Sequence, residues 1–145
     1  SAYYNRGISK DELGDYYGAI ADYNRAIEIN PRDADAYYNR GNAKRKSGDN
    51  YGAIADYNKA IEINPRYVNA YNNRGNRKSD LKDYYGAIAD YNKAIEINPR
   101  DANAYANRGI AKDKIGDLNG ACADWREASF LGKHHKTGFI TNQCN

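Results

Sequence analysis

The 145-residue sequence predicts an all-α chain of stacked antiparallel helix pairs, and three observations lead there. Gly52 to Arg66 recurs unchanged at Gly86 to Arg100, and Gly18 to Arg32 differs from both only in carrying Arg25 for Lys. Within this segment Ala53, Ile54, Tyr57, Ala60 and Ile61 follow helical rather than strand spacing. Gly48–Asp49 and Asn64–Pro65 interrupt the pattern where a turn and a helix end belong, since proline lacks a donor and clashes with the preceding turn.

Each unit reads as two helices. The units span 1–33, 34–67, 68–101 and 102–135, at an offset of 34 residues, and a capping tail occupies 136–145. In the second unit the first helix runs from about Ala36 to Lys46 and the second from about Tyr51 to Ile63. Asp33 and Asp101 stand where an N-cap is needed for the next first helix. The fourth unit is degraded but recognisable, carrying Gly120 to His134 where the other units carry the repeated segment. A pair of short helices cannot bury its apolar stripe alone, so neighbouring pairs must stack.

Composition sets the material of the core. Ile, Leu, Val and Phe number only 20, against 21 Ala and 15 Tyr. So few aliphatics suit either a disordered chain or a core of alanine and tyrosine, and the periodicity selects the second. A net charge of +3, with both signs interspersed, argues weakly for polyanion partners. No apolar run is long enough to span a membrane and no signal pattern opens the chain. A soluble, cytoplasmic protein is the favoured expectation. The sequence has no Met, so Ser1 is read as the start of an excised or engineered piece. Near-identical units also fit a consensus-designed or recently duplicated origin.

The repeat resembles the tetratricopeptide repeat. Position 4 of the units holds Tyr3, Tyr37, Tyr71 and Tyr105, and position 8 holds Gly7, Gly41, Gly75 and Gly109. Position 20 is Ala19, Ala53, Ala87 and Ala121, and position 24 is Tyr23, Tyr57, Tyr91 and Trp125. Position 27 is Ala26, Ala60, Ala94 and Ala128; position 32 is Pro31, Pro65 and Pro99, but Lys133 in the last unit. The resemblance implies a right-handed superhelix whose first helices line a concave groove for peptide segments of other proteins.

Three departures stand out. Position 7, usually Leu in the family, is Arg6, Arg40, Arg74 and Arg108, accompanied by Asp22, Asp56, Asp90 and Asp124 at position 23. These are expected to pair between the two helices of a unit as partly buried charge-assisted hydrogen bonds. Position 11 is Lys10, Lys44, Lys78 and Lys112, read as buried stems with exposed heads. Position 19 is always Gly, early in the second helix, where it costs about 1 kcal/mol relative to Ala; close helix approach is one reading.

On the concave face implied by the resemblance, Asn5, Asn39, Asn73 and Asn107 recur at position 6, with Asn42 and Asn76 at position 9. Tyr4, Tyr38 and Asn72 occupy position 5. An amide both donates and accepts, so such a column suits the backbone of an extended peptide and is similar to the asparagine ladders of this family. The alternative is that these residues bond locally or face solvent as an inherited repeat feature. The family's carboxylate clamp finds its two asparagines at Asn42 and Asn73. Its three cation positions hold Tyr38, Asn103 and Asn107, so binding of chaperone C-terminal tails is not expected.

Cys122 should face the following element, the tail containing Phe139, Ile140 and Cys144. A Cys122–Cys144 disulfide and two separate thiols both fit. His134, His135 and Cys144 form no tetrahedral metal set. No nucleophile–base arrangement or phosphate loop is present, so neither catalysis nor a cofactor is expected. The partner expected is a protein or peptide segment, with no specific nucleic acid and no membrane. The main alternative is a self-assembling or designed structural repeat module without a specific ligand, either monomeric or associating end to end.

Overall fold

The computed structural model describes residues 1–133 and Cys144. Among the described residues eight helices follow one another: α1 (Ala2–Glu12), α2 (Tyr16–Ile29), α3 (Ala34–Lys46), α4 (Asn50–Ile63), α5 (Val68–Asp80), α6 (Tyr84–Ile97), α7 (Ala102–Lys114) and α8 (Leu118–Phe130). No strand occurs among the described residues, and none of the helices is long and apolar enough to cross a membrane. The fold is all-α, built from antiparallel helix pairs. Apart from Cys144, the tail at 136–145 lies outside the described residues, as do His134 and His135.

The chain divides into two compact units, Ser1–Ala70 and Tyr71–Asn145. In the first, α1 packs on α2, α2 on α3 and α3 on α4; in the second, α6 packs on α7 and α7 on α8. Length alone predicts one domain, but in a helical repeat each pair touches only its neighbours, so no single core need run through the chain.

Local rules set the helix ends. Asp15, Asp49, Asp83 and Asp117 cap the second helices by accepting from the backbone N–H of Gly18, Gly52, Gly86 and Gly120 at 2.8–3.0 Å. This accounts for the glycine at position 19. A Cβ on Gly52 would lie 2.0 Å from Asp49 Oδ2, in the space the capping carboxylate occupies. Asp33 and Asp101 cap α3 and α7 at 3.2 Å through Ala36 and Ala104. The cap draws α3 back to Ala34, two residues before the start expected from spacing. Between the helices of a pair, Gly48 turns at φ +93°; Lys82 takes the corresponding place at φ +65°, strained for a residue with a side chain.

The core is alanine and tyrosine. Ala19, Ala53, Ala87 and Ala121 are fully buried, and Tyr23, Tyr57 and Tyr91 are the largest side chains buried with them. Each ring lies against a glycine of the first helix. A Cβ on Gly41 would meet Tyr57 Cε1 at 2.8 Å, and one on Gly109 would meet Trp125 Nε1 at 2.5 Å. At the end of the second unit Cys144 is buried with Ala121, Cys122 and Trp125. Cys122 and Cys144 are joined by a disulfide, and Arg126 Nη2 donates to the Cys144 carbonyl.

Candidate functional site

Within each helix pair the position-7 arginine forks onto the position-23 aspartate. Arg40 donates from Nε and Nη2 to the two carboxylate oxygens of Asp56 at 2.9 and 2.6 Å. Arg6–Asp22, Arg74–Asp90 and Arg108–Asp124 repeat this geometry at 2.5–2.9 Å. The aspartates are buried, and each guanidinium lies over the position-4 ring of its own helix at 5.4–5.5 Å. The position-11 lysines do not hold their heads in water as expected. Lys10, Lys44, Lys78 and Lys112 bring Nζ to 3.0–3.2 Å from the same aspartates, because a buried carboxylate has more lone pairs than one arginine fills. Arg40 and Arg108 also donate from Nη1 to Asn24 and Asn92 on the preceding helix. The fork therefore spans three helices and sets the orientation of the first-helix faces.

Hydrogen bonds from Arg6, the largest influence, hold the Asp22 carboxyl down at about 2. A depressed folded-state value stabilises the protein above the unfolded carboxyl range near 4, and that contribution is lost as the pH falls through about 2. The expected result is a urea midpoint falling between pH 4.5 and 2, with a shallower fall in Asp22→Asn. Equal slopes in the two proteins would contradict it.

The structure separates the residues of the expected binding face. Asn72 is buried; its Nδ2 donates to Asp101 Oδ2 at 2.6 Å, and among the described residues its Oδ1 has no hydrogen-bond partner. It is removed from the face because the α7 cap lies within reach of its amide. Asn42 and Asn76 accept from the Tyr57 and Tyr91 hydroxyls at 2.6 Å, which orients both amides from the core. Asn39 Nδ2 donates to the Tyr4 hydroxyl at 2.8 Å. Asn5 is exposed on α1; Asn73 and Asn107 are half-buried.

In the second unit Asn76 and Asn107 come together. With Arg77, Ser79, Asp80, Tyr91 and Ile110 they line a cavity of about 220 Å³. Arg77 Nη1 pairs with Asp80 Oδ2 at 2.8 Å, while its buried Nε has no partner among the described residues. Among the described residues the Asn107 side chain makes no hydrogen bond, and the Asn76 amide nitrogen is likewise open. The cavity therefore presents amide donors, the Ser79 hydroxyl and the Arg77–Asp80 pair, with Ile110 and the Tyr91 ring as apolar walls. Arg77, Ser79 and Asp80 were not legible as site residues, because charged and hydroxyl side chains late in a first helix read as a solvated face.

In the first unit the corresponding face is aromatic. Tyr38 stacks on Tyr67 with centroids 4.9 Å apart and lies 5.8 Å from Tyr57, while Tyr4 lies 6.0 Å from Tyr23. The Tyr67 hydroxyl donates to Asp35 Oδ1 at 2.6 Å. Sequence reasoning missed Tyr67 and Asp35, although a signal existed: Tyr67 stands where the other units carry the capping Asp33 and Asp101.

A family model described as TPR repeat matches residues 12–48, 41–78 and 75–116. No curated protein matches the chain significantly. Among solved structures, a crystal structure of MamA shares 26% identity at a TM-score of 0.86, covering 89% of this chain and 75% of that one. The first TPR of Spaghetti (RPAP3), bound to the HSP90 peptide SRMEEVD, shares 23% identity at a TM-score of 0.77, covering 79% and 91%. The MamA RS-1 ArsTM double mutant shares 19% at a TM-score of 0.84, covering 93% and 76%.

Proposed function

The chain belongs to the tetratricopeptide repeat family of protein-interaction scaffolds, and from that premise we propose that its first-helix faces hold an extended, polar peptide segment of another protein. The observation that carries this reading is the cavity lined by Asn76 and Asn107, two half-buried residues whose amide nitrogens have no protein partner among the described residues. Peptide carbonyls are acceptors at regular spacing, and side-chain amides match them without reading sequence. The peptide held by the RPAP3 domain offers a precedent for such an occupant on this fold. No catalytic step is assigned.

The rival reading, end-to-end self-association, meets an obstacle at α8. Asn24 and Asn92 accept from the arginine of the next first helix, but the equivalent place in the last unit is Arg126, itself a donor. A second copy stacked there would set its Arg6 against Arg126.

An array of extended peptides tests the proposal. Wild type should retain a subset that Asn76→Ala/Asn107→Ala loses by about tenfold, the equivalent of ~1.4 kcal/mol. Equal capture by both proteins would overturn it. Asn39→Ala is a poorer probe, since Asn39 is already bonded to Tyr4.

A further inference from the structure

The first-helix face of the first unit carries a feature that peptide-backbone binding does not require. Tyr4 on α1, Tyr38 on α3 and Tyr67 just before α5 are half-buried, and Tyr38 and Tyr67 are stacked. The edge of this patch holds acceptors: the exposed carboxylate of Asp35, which accepts from Tyr67 through one oxygen, and the Tyr4 hydroxyl oxygen fixed by Asn39. Tyr67 is also expensive. It displaces the capping aspartate found at the starts of α3 and α7, and losing such a cap weakens the start of a helix. The cap is replaced by a ring stacked on Tyr38 and a hydroxyl on Asp35.

The electrostatics of the patch have one sign. Burial and then the charges of Asp35 and Asp33 raise the Tyr4 hydroxyl above its ordinary value, and burial followed by the Asp35 hydrogen bond raises Tyr67 further. Both hydroxyls therefore stay protonated and sense negative charge. An aromatic surface edged by carboxylate, here with the Tyr38 and Tyr67 rings tilted by 30° to each other, is complementary to a planar cation, and guanidinium stacks on tyrosine better than ammonium. The chain already uses this contact four times, with Arg6, Arg40, Arg74 and Arg108 lying over Tyr3, Tyr37, Tyr71 and Tyr105.

We infer that the Tyr4–Tyr38–Tyr67 patch with Asp35 is a specificity site for an arginine side chain of the bound peptide. The site deepens the peptide-binding reading and rests on it only for the chain that carries the arginine.

The test uses Nα-acetyl-arginine N-methylamide and its lysine and glutamate counterparts as probes on the whole chain, followed through the tyrosine ring protons by NMR. Saturable shifts at Tyr4, Tyr38 and Tyr67 are expected for arginine, weaker ones for lysine and none for glutamate. Tyr67→Asn, which restores a residue able to cap α5, and Asp35→Asn should each weaken the arginine probe by about threefold to fivefold. Equal shifts for glutamate, or unchanged affinity in Tyr67→Asn, would overturn the inference. Tyrosine shifts that grow with protein concentration without probe would also do so, by assigning the face to a second copy. The array separates the two claims. Captured peptides that depend on Asn76 and Asn107 but show no arginine preference defeat this inference alone. Arginine-probe shifts without any captured peptide defeat only the broader reading.

Discussion

Tyr57→Ala should destabilise the chain by about 3–5 kcal/mol, the range for removing a large buried ring from a site that cannot collapse. Tyr57 has no exposed surface, its hydroxyl donates to Asn42 at 2.6 Å, and its ring faces the bare backbone of Gly41. Gly41 gives the prediction a second arm. In wild type, Gly41→Ala places a Cβ 2.8 Å from a ring that its hydroxyl bond holds in place, so overpacking should cost about 1–3 kcal/mol despite the better helix propensity of Ala. In the Tyr57→Ala background the ring contact is gone and the Asp56 Cβ, at 3.2 Å, is the close neighbour that remains, so the same change should cost at least about 1 kcal/mol less than in wild type. A double-mutant cycle in urea reads this coupling; additive effects would mean that the ring and the glycine do not meet.

Arg40→Leu should cost about 2–4 kcal/mol, because it strands a buried carboxylate. Asp56 is 4% exposed and would keep only Lys44 at 3.0 Å, while the Arg40 side chain is 17% exposed and also bridges to Asn24. Arg40→Leu/Asp56→Leu should recover much of the loss, since the carboxylate that must be solvated is gone and the cleft between α3 and α4 can close on apolar groups. Equal stability of Arg40→Leu and wild type in urea would place the pair on the surface. Arg6→Leu should cost less, because Arg6 is 59% exposed and lacks the third helix that covers Arg40.

The architecture was legible because it is written four times. A long identity at a fixed offset, helical spacing and turn residues at matching places leave little freedom in fold class. Arg40 and Asp56 were legible as a pair since their co-occurrence repeats in every unit. What escaped depends on contacts between positions that spacing does not relate. Asn72 occupies an expected binding position but bonds the capping Asp101, a residue 29 further along. Lys44 reads as a surface lysine until the spare lone pairs of Asp56 are placed beside it. Gly52 reads as a helix defect until the Asp49 carboxylate fills the space of its missing Cβ. Tyr67 stands where Asp33 and Asp101 cap the other units, a signal the sequence reading passed over, and its stacking on Tyr38 and bond to Asp35 needed three dimensions.

Side-chain amide NMR of the protein saturated with an array-selected peptide tests whether ligand is held on the first helices, as proposed, rather than the second. The Asn76 and Asn107 amide resonances should move and acquire contacts to the peptide, while Asn58 and Asn92, exposed on α4 and α6, stay in place. Shifts confined to Asn58 and Asn92, with Asn76 and Asn107 unmoved, would contradict it.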